Sequence, residues 1–69
     1  MRVYSVAYKL DPKSDEKMID VPAPSKEDAW SKAWYNTIPK KEGAYPSEIR
    51  IVSVRYTNGK VVMLAQAAT

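Results

Sequence analysis

The pair Asn58-Gly59 constrains this chain more than any other feature, because it stands between two alternating apolar runs at 48–56 and 60–66. Asn and Gly reach positive φ at little cost, so the pair predicts a type I′ two-residue β-hairpin. That hairpin sets a register: Thr57 opposite Lys60, Tyr56 opposite Val61, Arg55 opposite Val62, Val54 opposite Met63. Side chains alternate along a strand. One face therefore carries Val52, Val54, Tyr56, Val61, Met63 and Ala65, and is the expected core face. The other carries Ile49, Ile51, Ser53, Arg55, Lys60, Val62, Leu64 and Gln66. Its aliphatics make it more apolar than a sheet face needs to be if it meets only water.

The N-terminal half repeats the pattern. Arg2, Tyr4, Val6, Tyr8 and Leu10 share one face of a strand, and Val3, Ser5, Ala7 and Lys9 the other. Neither face is plainly polar, which predicts a central strand covered in part on both sides. Residues 11–16 are polar, contain Pro12, and read as a hairpin loop. In the next strand Lys17, Ile19, Val21 and Ala23 oppose Met18 and Asp20. Pro22 has no N–H for a ladder, which argues for an edge position. Ser25 is a suitable helix N-cap, and Glu27 and Asp28 complement the positive end of the helix dipole. Ala29, Trp30, Ala33 and Trp34 form an apolar stripe, with both indoles expected in the core. Pro39 predicts the helix end near Thr37. The expected fold class is α+β: a ββαββ four-stranded antiparallel sheet with one helix packed on one face. It forms a single domain over 1–69, with strands at about 2–10, 17–23, 48–56 and 60–66 and a helix at about 26–37. Strand order does not follow from these patterns.

The inventory excludes most chemistry. The chain has no cysteine and no histidine, so disulfides, thiolate zinc sites and His-based triads are out of reach. Its two glycines cannot build a phosphate-cradling loop. Asp11, Asp15 and Glu16 lack the spacing of a calcium loop and read as a solvated turn. No enzyme, cofactor, metal or small-molecule substrate is expected. No run approaches the ~20 apolar residues of a membrane span, and the alternating N-terminus lacks the continuous apolar stretch of a signal peptide. The expected location is cytoplasmic. A net charge of +3 comes from dispersed cations interleaved with acids, the pattern of a solvated surface.

What remains is binding. The outer sheet face, Ile49, Ile51, Arg55, Lys60, Val62 and Leu64, is one candidate contact surface. Tyr35 and Tyr45, with Lys40 and Lys41 at the helix end, are a second. Arginine and tyrosine are favoured at protein interfaces. A protein partner is expected first, with a homodimer as its simplest form. Nucleic acid is the second choice: Tyr4 and Tyr8, with Arg2 and Arg55, would offer rings for base stacking if they face outward, and core packing if they do not.

The run Ser25-Lys26-Glu27-Asp28-Ala29-Trp30-Ser31-Lys32-Ala33-Trp34, then Ile38-Pro39, Tyr45-Pro46 and Val52-Ser53-Val54-Arg55-Tyr56-Thr57-Asn58-Gly59-Lys60, resembles small proteins of bacterial phages and mobile elements. The likeness is one of style and covers about residues 18–64. It implies a small modulator that binds a host or rival protein, including the anti-CRISPR inhibitors of host nucleases. Inhibitors that mimic DNA are often acidic, whereas this chain is basic, so the resemblance disfavours DNA mimicry and leaves blocking a protein surface or bridging to nucleic acid as the modes implied.

Overall fold

The computed structural model describes residues 2–11 and 13–64. Its elements run β1 (Arg2–Lys9), β2 (Lys17–Ala23), a helix of 17 residues, β3 (Arg50–Tyr56) and β4 (Val61–Leu64). The strands form one antiparallel sheet, as the ββαββ reading expects, and their order, which the sequence left open, is β2-β1-β3-β4. β1 is central, as its two-sided apolar pattern implies, and β2, with Pro22, is an edge. Ala65 and Gln66, assigned above to the fourth strand, lie outside the described residues.

The helix starts as expected: Ser25 Oγ accepts the Asp28 N–H at 3.2 Å. It does not stop at Thr37. An α-helical segment, α1 (Lys26–Lys32), passes into a π-helical turn at Ala33–Thr37 and then into α2 (Ile38–Glu42). A proline ring in a regular helix strikes the carbonyl one turn back. The wider turn just before Pro39, closed by the Ile38 N–H on the Ala33 carbonyl, accommodates it. Gly43 then ends the helix in the left-handed conformation at φ 65°, its N–H on the Pro39 carbonyl at 2.9 Å. The extra turn buries Ile38 completely.

The core lies between helix and sheet. Tyr4, Val6 and Tyr8 of β1 pair with Val21, Ile19 and Lys17 of β2 and with Tyr56, Val54 and Ile51 of β3. Ala29 and Ala33 are fully buried and let the helix sit close. The indoles contribute less than expected. Trp30 and Trp34 are half-buried against the core edge, and Trp34 Nε1 donates to the Pro46 carbonyl at 2.7 Å, tying the helix to a short 3-10 turn at Pro46–Glu48. A second tie joins three elements: the buried Tyr8 hydroxyl donates to Glu42 Oε2 at 2.6 Å, and Lys17 Nζ meets Glu42 Oε1 at 3.2 Å.

The Asn58-Gly59 hairpin forms, but not as a two-residue turn. The Gly59 N–H reaches the Tyr56 carbonyl, and the Tyr56 N–H reaches the Lys60 carbonyl, each at 2.9 Å. The loop is thus Thr57-Asn58-Gly59 with Tyr56 opposite Lys60. Gly59 takes φ 94°, while no described non-glycine residue has positive φ. A type I turn followed by a left-handed glycine needs only one positive φ and spares Asn58 that cost. Asn58 instead accepts the Lys60 N–H through Oδ1 at 3.0 Å.

Two register shifts then break strict alternation. Ala7 pairs with Ser53 but Tyr8 with Ile51, leaving Val52 unmatched. Val54 pairs with Met63 but Arg55 with Val61, leaving Val62 unmatched. An extra residue in one strand flips the facing of everything beyond it.

Candidate functional site: the uncovered sheet face

Among the described residues the helix covers one face of the sheet and no element packs on the other, which is the candidate contact surface. Its make-up is a matter of register. One row across it reads Met18, Ala7, Ser53, Leu64 in the order β2-β1-β3-β4. The next reads Asp20, Ser5, Arg55, Val61. Beyond the β3 bulge, Lys9 stands opposite Arg50.

The first row has small residues at its centre and large ones at its edges. Ala7 and Ser53 on the central strands are small and fully covered, while the flanking Met18 is 48% exposed and Leu64 66% exposed. Val3 and Val61 extend the apolar rim. Arg55 folds back along its strand, its Nε donating to Ser53 Oγ at 3.1 Å, which keeps the guanidinium beside Ser53. Asp20, the carboxylate in the neighbouring row, accepts from Ser5 Oγ at 2.9 Å. It is two strands from Arg55, roughly 10 Å at the usual interstrand spacing. Among the described residues the ion pair formed is Lys17–Glu42, on the other side of the sheet.

Several residues expected on this face are elsewhere. Ile49 and Ile51 belong to the buried core. The Val52 bulge turns Ile51 inward, where strict alternation would have left it beside Ser53. Val62 is half-buried and packs against the core, while Val61, expected inward, faces out opposite Arg55. Lys60 is exposed at the hairpin turn. Arg55 and Leu64 are where the sequence puts them. Met18, Val61, Lys9 and Arg50 are additions to the expected contacts, beside the buried Ala7 and Ser53. The alternation of β1 and β2 already groups Ala7 with Lys9 and Met18 with Asp20, but only the tertiary structure puts both groups on the face away from the helix.

The second expected patch is exposed but not drawn into one site. Tyr35 and Tyr45 are 66% and 76% exposed, and Lys40 and Lys41 are solvent-facing on α2. Tyr35 rests its ring on Trp34 at 4.7 Å between centroids. Tyr4 and Tyr8 lie under the helix, so neither presents a ring for stacking on the sheet. Tyr4 packs on Tyr56 at 5.9 Å, and the Arg2 guanidinium sits 5.0 Å over the Tyr56 ring.

A hollow of about 260 Å³ lies where β1 ends and β3 begins, lined by Leu10, Asp11, Ser47, Glu48, Ile49 and Arg50. Its carboxylates are occupied locally: Asp11 Oδ1 accepts from the Lys13 N–H at 2.9 Å, and Glu48 Oε1 from the Tyr45 N–H at 3.0 Å. No cluster of metal-ligating side chains occurs among the described residues, and no described helix is long and apolar enough to cross a membrane.

Comparison with protein-family models, with curated proteins and with solved structures found no match.

Proposed function

We propose that this chain is a small non-catalytic binding domain that acts in the cytoplasm by occupying a surface of another protein, with the uncovered sheet face as its contact. The observation that carries this reading is the exposure of Met18, Val61 and Leu64 around Arg55 on the face the helix leaves open. Aliphatic side chains left in water forgo burial worth ~25 cal/mol per Å², and here they flank both edges of the face, Met18 on β2 and Val61 and Leu64 on β4. The resemblance to phage and mobile-element proteins extends the reading to a modulator or inhibitor, of which an anti-CRISPR-like block of a host nuclease is one form. The test is Leu64→Glu, which places a charge on the rim without touching the core. Expected are a native melting profile and loss of partner binding. A folded Leu64→Glu protein that binds its partner as the parent does overturns the assignment of this face.

A second reading, nucleic-acid binding, draws on the exposed rings of Tyr35 and Tyr45, on the exposed Lys40 and Lys41 and on the +3 net charge. Phosphate contacts make affinity fall steeply with salt. A salt titration of binding to random single-stranded and duplex DNA separates it from the first, which predicts no binding at physiological ionic strength.

A further inference from the structure

The charges on the open face are lopsided. Lys9 and Arg50 are direct cross-strand partners, a like-charge pairing that costs sheet stability. Arg55 lies nearer the centre, bonded to a serine and with no carboxylate in ion-pair range among the described residues. Asp20 is the one acid in these rows, and Ser5 already holds it. Cations set among exposed aliphatics leave a guanidinium fork that matches a carboxylate. The face therefore calls for a ligand that is apolar and anionic at once.

From this we infer that the open face takes an acidic, amphipathic segment of a partner protein. Its aliphatic side chains pack against the exposed Met18, Val61 and Leu64, and its carboxylates meet Arg55 and the Lys9–Arg50 pair. The inference rests on the proposed protein-binding role and adds the chemistry of the partner. A second copy of the chain fits less well, because sheet-on-sheet packing would bring these cations against each other. A nucleic-acid strand fits less well too, because the rim is aliphatic and the rows named carry no aromatic ring for bases to stack on.

The test uses the full chain as bait in a display selection from a random dodecapeptide library, followed by titration of the enriched peptides. The expected result is enrichment of peptides that combine Asp or Glu with Leu, Ile or Met. Arg55→Glu and Leu64→Glu should each weaken them at least tenfold while keeping the parent's melting profile. A repeat selection on Arg55→Glu should shift enrichment toward Lys and Arg. If Leu64→Glu abolishes binding but Arg55→Glu does not, the face is the contact and the acidic chemistry is wrong. If neither variant affects binding, or nothing is enriched, both this inference and the proposed contact face fall. Sedimentation showing a micromolar dimer that Leu64→Glu dissolves would assign the face to a second copy instead. Tight, salt-sensitive binding of a poly-U oligonucleotide lost in Arg55→Glu would assign it to nucleic acid. Either result overturns the inference.

Discussion

Single residues hold this fold at places where backbone conformation or one buried hydroxyl decides the outcome. Gly59 is the clearest. A Cβ there would meet nothing within 4 Å, so space is not the constraint; φ 94° is. Gly59→Val should cost roughly 1–3 kcal/mol, the range for a non-glycine residue held in left-handed backbone. Gly59→Asn should cost less, since asparagine tolerates that region. Thermal melts of the two variants check the order, and equal melting temperatures would mean that the turn relaxes to another form. Tyr8 and Glu42 give a pH signature. Burial first, then the hydrogen bond to Glu42 and its charge, push the Tyr8 hydroxyl from 10.0 up to about 12. The unfolded chain ionises this group at lower pH than the folded one, so its contribution is complete below pH 10 and is lost progressively as pH rises toward 12. Glu42 shifts the other way, held below its ordinary value first by the Tyr8 hydroxyl and then by Lys17. Its contribution is present above the ordinary carboxylate range and fades as pH falls through the lowered folded value. Chemical denaturation across pH should show a plateau bounded by these two limbs. Tyr8→Phe should remove this tyrosine's alkaline contribution, shrink the acid limb and lower the plateau, because the hydrogen bond to Glu42 is lost. An unchanged alkaline limb would show that other tyrosines cause it.

At the scale of elements, two bulges decide which side chains this protein shows. Without them Ile51 would share a face with Ser53, and Val61 a face with Met63. With them Ile51 is 4% exposed in the core and Val61 stands on the rim. Bulges of this kind bend a strand and re-aim the side chains beyond them. The consequence is testable by placing one charge at two positions that strict alternation would treat alike. Ile51→Lys should leave the chain largely unfolded, because an unpaired ammonium in the core far exceeds the margin of a small domain. Leu64→Lys should change stability by about 0.5 kcal/mol or less, as at most exposed sites. Circular dichroism and melting of the pair decide it, and equal tolerance would mean that the β3 bulge is absent. The helix carries a parallel lesson. The π-helical turn before Pro39 lets it run on to Glu42, and that extension places Glu42 against Tyr8 and Lys17.

The whole molecule has a single core and ties that cross it: Trp34 to Pro46, Tyr8 to Glu42, and Glu42 to Lys17. None of these elements buries an apolar face without the others, so unfolding should be two-state. Indole fluorescence, which reports the helix edge, and far-ultraviolet circular dichroism, which reports the sheet as well, should give coincident urea transitions. A fluorescence change that precedes the loss of circular dichroism would mean that the helix detaches from a persisting sheet. Much of this architecture is legible in the sequence because its causes are local. Ser25 caps a helix by its own hydroxyl, Pro22 marks an edge by a missing donor, Asn58-Gly59 bends the chain, and the two-sided pattern of 2–10 puts β1 in the middle. These depend on a residue and its near neighbours. The strand order, the unmatched Val52 and Val62, and the helix continuing through Pro39 depend on what lies across the sheet or under the helix. Periodicity carries no information about a partner strand, so by itself it sends Ile49, Ile51 and Val62 outward and passes over Met18 and Val61 as contacts. The open face is therefore a tertiary fact: alternation supplies its ingredients, and strand pairing sets Met18, Ala7, Ser53 and Leu64 in one row.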